Sequence, residues 1–352
     1  MGTKIELMLP VLPLNIGLFL SLSAAVIVTS LLFVENGIPI LSSFPAMAWV
    51  QATSGTVNRL MSVFGPSCFA SLGLVAWGVH RKSGSPAALV MMYLGLGFGI
   101  LSQALLASKA AAILIFVWFN IVLFYMNKKR EFRKSVLPLL LVVVPVSAAI
   151  VVVRSVSTHG YWESRSIYQT YYERLTTISA EPVDFIFKNM HRFGPAHGGA
   201  IHQEVARIGD QLTRRPKTPL LSEFVYNLLS GESIYNTGLS ASVTLFGTGY
   251  VEWGIAGMLI YSFLQGLGFD WVHRRLLRQE KVNIFALIFW GAIINYLLGV
   301  SVSGTVLVAL ETVLLNIIPP LALLLPFCGF FFLPVARRYG TYARRRTSKV
   351  TG

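Results

Sequence analysis

Apolar runs of about 18 to 25 residues recur along nearly the whole chain and constrain its fold more than any other feature. A run of this length is what an α-helix needs to cross the roughly 30 Å hydrocarbon core of a bilayer. Backbone groups in lipid form their hydrogen bonds within their own segment, so such runs fold as helices. The composition agrees, because 54% hydrophobic and 12% charged residues exclude a soluble globular domain of 352 residues.

The sequence predicts an all-α polytopic membrane protein with about eight transmembrane helices and one large polar loop. A membrane domain of about five spans covers 1–153, the loop covers 154–242, and about three spans with a basic tail cover 243–352. The first run is too long for a cleavable signal peptide and lacks a small-residue cleavage site. The Gly65-Pro66 pair predicts a break in the second span. The predicted spans are about 11–33, 61–79, 86–106, 110–127, 135–153, 243–270, 283–303 and 306–333.

The net charge of +14 is concentrated in short basic tracts at the ends of spans. The tracts are HRK at 80–82, KKREFRK at 128–134, HRRLLRQEK at 273–281 and ARRYGTYARRR at 336–346. Short basic loops stay cytoplasmic, and threading the spans from a cytoplasmic N-terminus places every tract and the C-terminus on that side. The distribution excludes a nucleic-acid partner and predicts contact with the lipid bilayer, in particular with anionic headgroups.

The large loop then lies on the opposite side of the membrane, and its charges nearly cancel. Residues 154–243 hold nine basic and eight acidic residues. Apolar residues at helical spacing predict short amphipathic helices in the loop, with Ile201, Val205, Ile208 and Leu212 on one face. A further stripe near 220–229 is apolar enough to lie in the membrane interface. The helices are expected to form a lid over the membrane domain.

The arginines of the loop are candidates for holding a pyrophosphate, because guanidinium stays charged and binds phosphate oxygens in a bidentate manner. The alternative is that they pair with acidic residues of the same loop. Arg59 and Lys109 are cations at the membrane edge on the same predicted side, and either bind substrate or extend to the interface. The loop arginines are Arg154, Arg165, Arg174, Arg192, Arg207, Arg214 and Arg215.

Carboxylates within spans and histidines in the loop are further candidates. Glu252 and Glu311 lie in predicted spans, where a carboxylate is rare and normally faces a polar cavity. Glu252 is a candidate substrate ligand or proton acceptor, or else a structural partner of an arginine. His191 and His197 are candidate bases or phosphate ligands. The spacings of six and five residues among His191, His197 and His202 put no two on one helix face, so we predict no metal and no cofactor.

Three stretches of this chain carry a resemblance to a family. They are ENGIPILSS at 35–43, SKAAAILIFVWFNIVLFYMNKKREFRK at 108–134 and SASVTLFGTGYVEWGIAGMLIYSFLQGLGFDWVHRRL at 240–276. With the layout of spans around one long loop, they resemble the Wzy-type O-antigen (oligosaccharide repeat-unit) polymerases of bacterial inner membranes. The resemblance implies a GT-C-like fold with a periplasmic loop. It also implies a metal-independent glycosyltransferase that moves a growing glycan from undecaprenyl pyrophosphate onto a new lipid-linked repeat unit.

The resemblance also implies roles and partners. The expected partners are undecaprenyl-pyrophosphate-linked oligosaccharides, the bilayer and a chain-length regulator. The family's arginine followed eleven residues later by glycine is absent from the outer loops here, which leaves the arginine of each phosphate unassigned. The residues expected in catalysis are Arg154, Arg165, Arg174, Arg192, Glu252 and His191. Those expected to bind substrate are Arg59, Lys109, Arg207, Arg214, Arg215 and Tyr250.

Three other functions remain open at this point. An O-antigen ligase shares the architecture but uses a lipid A core acceptor, and its His-x-His-Asn-like stretch is not matched by HGGAIH at 197–202. A transporter of lipid-linked sugars predicts polar residues at mid-membrane depth in many spans, whereas the candidates here cluster at one side. A non-catalytic modulator of polysaccharide assembly is the third, and predicts that the outer arginines are dispensable for polymer length.

Overall fold

A computed structural model describes most of the chain. The described residues are 4–7, 10–42, 48, 52, 56–106, 109–126, 181–193, 199–213, 215–231, 243–279, 281–307, 310 and 313–328. The predicted span at 135–153 and the basic tail lie outside them. Within the described ranges, five helices are long and apolar enough to cross a membrane, which confirms the predicted class of an α-helical membrane protein. These five are Val11–Leu41, Thr56–Ser83, Pro86–Leu105, Thr244–Arg278 and Ala286–Ser303.

The described helices and strands fall into three groups along the chain. The first half contains β1 (Lys4–Glu6), α1 (Val11–Asn36), a 3-10 turn (Pro39–Leu41), α2 (Thr56–Phe64), α3 (Phe69–Ser83), α4 (Pro86–Leu105) and α5 (Lys109–Met126). The loop region contains α6 (Glu181–Phe193), α7 (Gly199–Thr213) and α8 (Leu221–Ser230). The last part contains α9 (Thr244–Arg278), β2 (Lys281–Asn283), α10 (Ala286–Ser303) and the apolar helix α11 (Val313–Cys328).

Helix α3 forms the centre of the membrane bundle. All of its residues from Phe69 to Val79 are buried, and it packs against α1, α4, α5 and α10. A turn over residues 65–68 separates α3 from α2, so the predicted break at Gly65-Pro66 is confirmed. Proline removes a backbone donor from a helix, which explains why the second span is interrupted there.

Helix α9 is sharply bent, and the predicted span at 243–270 did not include this bend. Trp253 and Gly254 have non-helical backbone angles, and Gly254 has φ +62°, a conformation that favours glycine. Gly249 and Gly257 meet across the bend, since a Cβ at Gly257 would overlap the Gly249 carbonyl oxygen. Residues eight apart in a straight helix are about 12 Å apart. The helix therefore has a short arm (244–252) and a long arm (255–278), and the long arm alone can cross a bilayer.

One end of the bundle carries a small sheet and many basic residues, and is called the basic end. Strand β1 pairs in parallel with β2, with Ile5 opposite Val282, a pairing that the all-α prediction did not include. Helix α3 ends there with His80, Arg81 and Lys82. The last turns of α5 and α9 also meet there, where the Tyr125 hydroxyl lies 2.6 Å from His273 Nδ1. The basic residues of α9 and β2 at this end are Arg274, Arg275, Arg278 and Lys281.

The opposite end of the bundle, called the loop end, carries α6, α7, α8 and the short arm of α9. Helix α10 begins beside β2 at the basic end and runs to Ser303, and the following segment 304–307 contacts α7. A helix of 18 residues is about 27 Å long, close to the thickness of the hydrocarbon core. Within the described residues, the basic tracts at 80–82 and 273–281 thus lie on one side of the bundle and the loop helices on the other.

Candidate functional site

The loop helices rest on the short arm of α9 through an apolar contact. Ile186 of α6, Val225 of α8, and Val243 and Val251 beside and within the short arm form one buried cluster. Tyr250, a predicted substrate ligand, packs edge-on against Phe187 with ring centroids 4.4 Å apart. This cluster packs α6 and α8 against the short arm of α9.

Glu252 joins the short arm of α9 to the start of α7. Its carboxylate is fully buried, and Oε1 accepts hydrogen bonds from the backbone N–H groups of Ala200 (2.6 Å) and Ile201 (3.2 Å). The first N–H groups of a helix have no partner within the helix, and the helix dipole favours a negative charge beside them. The geometry therefore gives Glu252 an anchoring contact with α7, whereas the sequence suggested contact with substrate or with an arginine.

Glu204 makes the same kind of contact from α7 back to the membrane bundle. Its side chain is 3% exposed, and its two carboxylate oxygens accept hydrogen bonds from Val306 N (3.0 Å) and Leu307 N (2.6 Å). These amides follow α10 and stand where the chain resumes helical structure. Sequence reasoning missed Glu204, although a carboxylate three residues after Ile201 and four before Ile208 on an apolar helix face was the available signal.

A third contact joins the short arm of α9 directly to the segment after α10. The Thr248 hydroxyl donates to the Gly304 carbonyl oxygen at 2.9 Å. Gly304 has φ +72°, and a Cβ there would overlap the Thr244 carbonyl and the Thr248 hydroxyl. The position thus requires glycine both for its backbone angles and for the close approach. The short arm, α7 and segment 304–307 are consequently linked to one another in all three pairings.

Arg207 is a structural residue of the loop in this arrangement. Its guanidinium is buried and binds the Glu223 carboxylate in a bidentate manner, at 2.6 and 2.9 Å, and also donates to the Thr218 carbonyl at 3.0 Å. Glu223 in turn accepts the Leu220 N–H at the start of α8. This is the alternative that the sequence left open, pairing with an acidic residue of the same loop. The geometry thus engages Arg207 in holding α7 to α8 rather than presenting it to substrate.

Asp210 fixes the connection between α7 and α8. Its carboxylate accepts hydrogen bonds from the Thr218 hydroxyl (2.6 Å) and the Thr218 N–H (2.9 Å). The side-chain hydrogen bond from Thr218 is the main cause that lowers the pKa of Asp210, and Arg215 adds a favourable charge. Arg215 itself is exposed to solvent.

The buried face of α7 differs from the face predicted by hydrophobic periodicity. Val205 was expected inside but is 52% exposed, whereas Ala200, Glu204 and Arg207 are buried. Periodicity misassigned this face because it treats charged residues as exposed, and here each charged group has hydrogen-bond partners in the interior. Leu220, just before α8, and Val225 within it are buried, while Leu228 and Leu229 remain exposed.

The remaining candidates are divided between the described part and the rest of the chain. Arg59 is half-buried in α2. Helix α5 runs from Lys109 to the basic end, so it begins on the side of the bundle that carries the loop helices. Arg59 lies on the same side, because α1 runs from β1 to Asn36 and the Asn58 side chain donates a hydrogen bond to Asn36. His191 and Arg192 are in the last turn of α6, but their side chains lie outside the described part. Also outside it are Arg154, Arg165, Arg174, Arg214 and Glu311.

A buried tyrosine hydroxyl also lies at the loop end. The Tyr261 hydroxyl is buried within electrostatic range of Glu252 and Glu204, and has no hydrogen-bond partner among the described residues. Within the same ranges, no three His, Cys, Asp or Glu side chains are grouped so that they could hold a metal ion. Cys68 and Cys328 are free and buried.

No protein-family model, curated protein or solved structure matches this chain. A function for the loop end has to be argued from its residues and their geometry.

Proposed function

We propose that this protein is a polymerase of lipid-linked oligosaccharides, of the type that the Wzy family represents. It would join undecaprenyl-pyrophosphate-linked repeat units at the periplasmic face of a bacterial inner membrane, without a metal ion. The observation that carries the proposal is the arrangement of the loop end, where buried polar contacts join α7 to the membrane bundle and α8 to α7. Helix α6 of the same arginine-rich loop packs on the short arm of α9 through the apolar cluster. A membrane-anchored substrate would meet such helices at the level of its diphosphate.

The orientation in the membrane follows from the basic end. Short basic segments beside spans stay in the cytoplasm, so we propose that the basic end and both termini lie on that side. The loop end then faces the periplasm, where lipid-linked repeat units are joined in the family that the sequence resembles. The basic residues of α3 and α9 are accordingly expected to contact anionic headgroups of the cytoplasmic leaflet.

The chemistry that we propose is direct displacement at an anomeric carbon. An acceptor hydroxyl oxygen forms the new glycosidic bond, the bond from the anomeric carbon to the lipid diphosphate breaks, and the diphosphate leaves with the bonding electron pair. Arginines contribute most if they contact the oxygen atoms on which negative charge grows in the transition state. A lipid diphosphate is already a good leaving group, so only the acceptor proton needs a base.

The candidate residues enter this proposal with revised roles. Glu252 and Arg207 are assigned to holding α7, because both are buried and engaged with the protein itself. His191 remains the candidate base for the acceptor hydroxyl. The arginines proposed for the transition state are Arg154, Arg165, Arg174 and Arg192. The residues proposed to bind the donor or acceptor are Arg59, Lys109, Arg214, Arg215 and Tyr250.

The test is reconstitution of the purified protein in vesicles with a synthetic undecaprenyl-diphosphate oligosaccharide. We expect a ladder of polymers, and a chain-length regulator added to the vesicles should change the modal length. Transfer to a lipid A core acceptor in place of a ladder would identify a ligase. Movement of the substrate across the vesicle membrane without transfer would identify a transporter.

Substitution of Arg192 tests the arginines within the same assay. Arg192→Ala should reduce kcat by about 100-fold, the usual effect of removing one group that stabilises the transition-state charge. The matched control is Lys188→Ala, one turn earlier on α6, where the lysine is exposed and pairs with Asp184 on its own helix. Unchanged polymer in alanine variants of all the candidate arginines would contradict the enzyme proposal and favour a non-catalytic modulator.

A further inference from the structure

Three polar contacts connect the short arm of α9, helix α7 and segment 304–307 in a closed triangle. We propose that this triangle is a clasp, and that Glu204 and Glu252 are positioning residues that fix α7 over the loop end of the spans. Glu252 holds the start of α7, and Glu204 holds the same helix one turn later against Val306 and Leu307. Thr248 completes the triangle by its hydrogen bond to Gly304.

The chemistry of the two carboxylates indicates a positioning role rather than simple packing. Burial of a carboxylate is costly unless hydrogen bonds and a favourable field compensate for the lost hydration. Each carboxylate here accepts a pair of backbone N–H groups. For Glu252 these amides stand at the start of α7, where the helix dipole is favourable. An apolar side chain would fill the same space without fixing the rotation of α7 about its axis. Two such contacts four residues apart along α7, one on each neighbour, define both its position and its rotation.

Fixing α7 would position the arginines on either side of it. Arg192 lies in the last turn of α6, seven residues before α7 begins, and Arg214 and Arg215 follow directly after α7 ends. This step rests on the proposed function, because those arginines matter only if the loop end binds a lipid diphosphate. Glu204 and Glu252 act through α7 on these residues and need not touch the substrate themselves.

Hydrogen exchange in lipid nanodiscs tests the clasp without any assumption about activity. In Glu252→Gln, exchange at Ala200 and Ile201 should rise about tenfold, because a neutral acceptor replaces a charged one. In Glu204→Gln, the same rise is expected at Val306 and Leu307. If the three contacts form cooperatively, each variant should also raise exchange at the other pair of amides. The effects of the two substitutions in the double variant should then be less than additive.

Two control variants separate the clasp from general loosening of the region. Tyr261→Phe removes a buried hydroxyl close to both carboxylates that has no hydrogen-bond partner among the described residues, so it should leave exchange unchanged. Asp184→Asn removes an exposed acid of α6 and should also be neutral. The amides of Thr218 and Leu220, which are bound by Asp210 and Glu223, should be protected as in the unsubstituted protein.

A transfer assay with the same variants tests positioning. We expect KM for the lipid-diphosphate donor to rise about tenfold in Glu204→Gln and Glu252→Gln, with kcat changed less. Partial unfolding would instead lower the active fraction, and hence the apparent kcat, and would leave KM unchanged. Tyr261→Phe should retain both constants.

Each outcome of the two measurements decides one part of the inference. Unchanged exchange in the Gln variants, or an equal rise in Tyr261→Phe, would overturn the clasp. Raised exchange with an unchanged donor KM would overturn the positioning role. If the unsubstituted protein transfers no sugar, the proposed function fails, and the exchange data still decide whether the clasp exists.

Discussion

The two ends of the bundle use charged residues in opposite ways. At the basic end, the ion pairs Arg274–Asp270 and Lys281–Glu6 are between 44% and 65% exposed. At the loop end, the Arg207–Glu223 pair is at most 10% exposed, and Glu204 and Glu252 are buried. Exposed pairs are screened by water and salt, whereas buried charges depend on particular partners. The charged residues are therefore in contact with solvent at one end and hold parts of the protein together at the other.

The two ends also differ in how closely backbone segments approach one another. The contacts of the loop end bring backbone segments very close, at the meeting of Gly249 with Gly257 and at Gly304 beside Thr248. At the basic end, α3 ends at Gly84, whose φ of +69° favours glycine but where an added Cβ would meet no neighbouring segment. We therefore expect substitutions at the loop end to have larger effects, and the following experiments test that difference.

The largest effect is expected for Gly257→Val. Its Cβ would overlap the Gly249 carbonyl oxygen, a backbone atom that cannot move without opening the bend of α9. We expect no stably folded protein after extraction in detergent, as measured by size-exclusion chromatography and thermal unfolding. The matched control is Gly266→Ala on the long arm, where a Cβ meets open space and the stability should change by less than about 1 kcal/mol. A stable Gly257→Val protein would show that the two arms do not meet.

The next largest effect is expected for Arg207→Ala. Removal of one partner from a buried ion pair typically costs about 3 to 5 kcal/mol, because the other charge is left buried and uncompensated. Opening of α7 and α8, followed by hydrogen exchange or limited proteolysis, should become correspondingly easier. Replacement of both partners, in Arg207→Met with Glu223→Leu, should recover most of this loss. If that double variant is no better than Arg207→Ala, the pair is not an isolated unit.

A smaller effect is expected from acidification, and it depends on Asp210. Its hydrogen bond from Thr218 lowers the pKa of the carboxyl in the folded protein. The resulting stabilisation is complete above the unfolded-state pKa of about 3.9 and is lost as the pH falls through the lower folded-state pKa. Thermal unfolding between pH 5 and pH 2.5, about the range of that transition, should show less acid destabilisation in Asp210→Asn.

The control for this pH dependence is a pair of threonine variants. Thr218→Val removes the hydroxyl that binds Asp210 and should reduce the acid-side loss. Thr213→Val instead removes a hydroxyl that donates to the Gly209 carbonyl of its own helix. Equal behaviour of the two valine variants would mean that the Thr218 hydrogen bond is not the cause.

The smallest effect is expected for Lys281→Ala at the basic end. Its ion pair with Glu6 is exposed on both sides, and exposed pairs contribute at most about 1 kcal/mol. Lys281→Ala should lower Tm slightly at low salt and leave it unchanged at high salt. At high salt the pair is already screened in the unsubstituted protein, so its removal costs nothing further. An effect comparable to that of Arg207→Ala would break the proposed distinction between the two ends.

The sequence predicted most of the membrane bundle but little of the loop end. Length and hydropathy located the described spans, and Gly65-Pro66 located the break between α2 and α3. The bend of α9 was missed because glycines are common in membrane helices, and only the backbone angles at Trp253 and Gly254 identify it. The anchoring role of Glu204 was missed because periodicity assigns charged residues to the solvent face.

The candidate arginines show the same limit of prediction from the sequence. Sequence identified Arg207 as a cation of the loop and left open whether it binds phosphate or an acidic neighbour. Only the fold brings Glu223, sixteen residues later, within bidentate distance. Which partner an arginine meets depends on the packing of α7 against α8, and no local pattern of residues encodes that distance.

What the sequence by itself determined is the class of the protein, an α-helical membrane bundle with basic tracts on one side and a polar loop on the other. Hydrophobicity and charge act locally, through the transfer of each segment into lipid, and can therefore be read along the chain. What only the tertiary structure decided is the use of the buried charges. Glu252 and Glu204 find their partners across 52 and 102 residues of sequence, in contacts that exist only once α7 has docked on the spans.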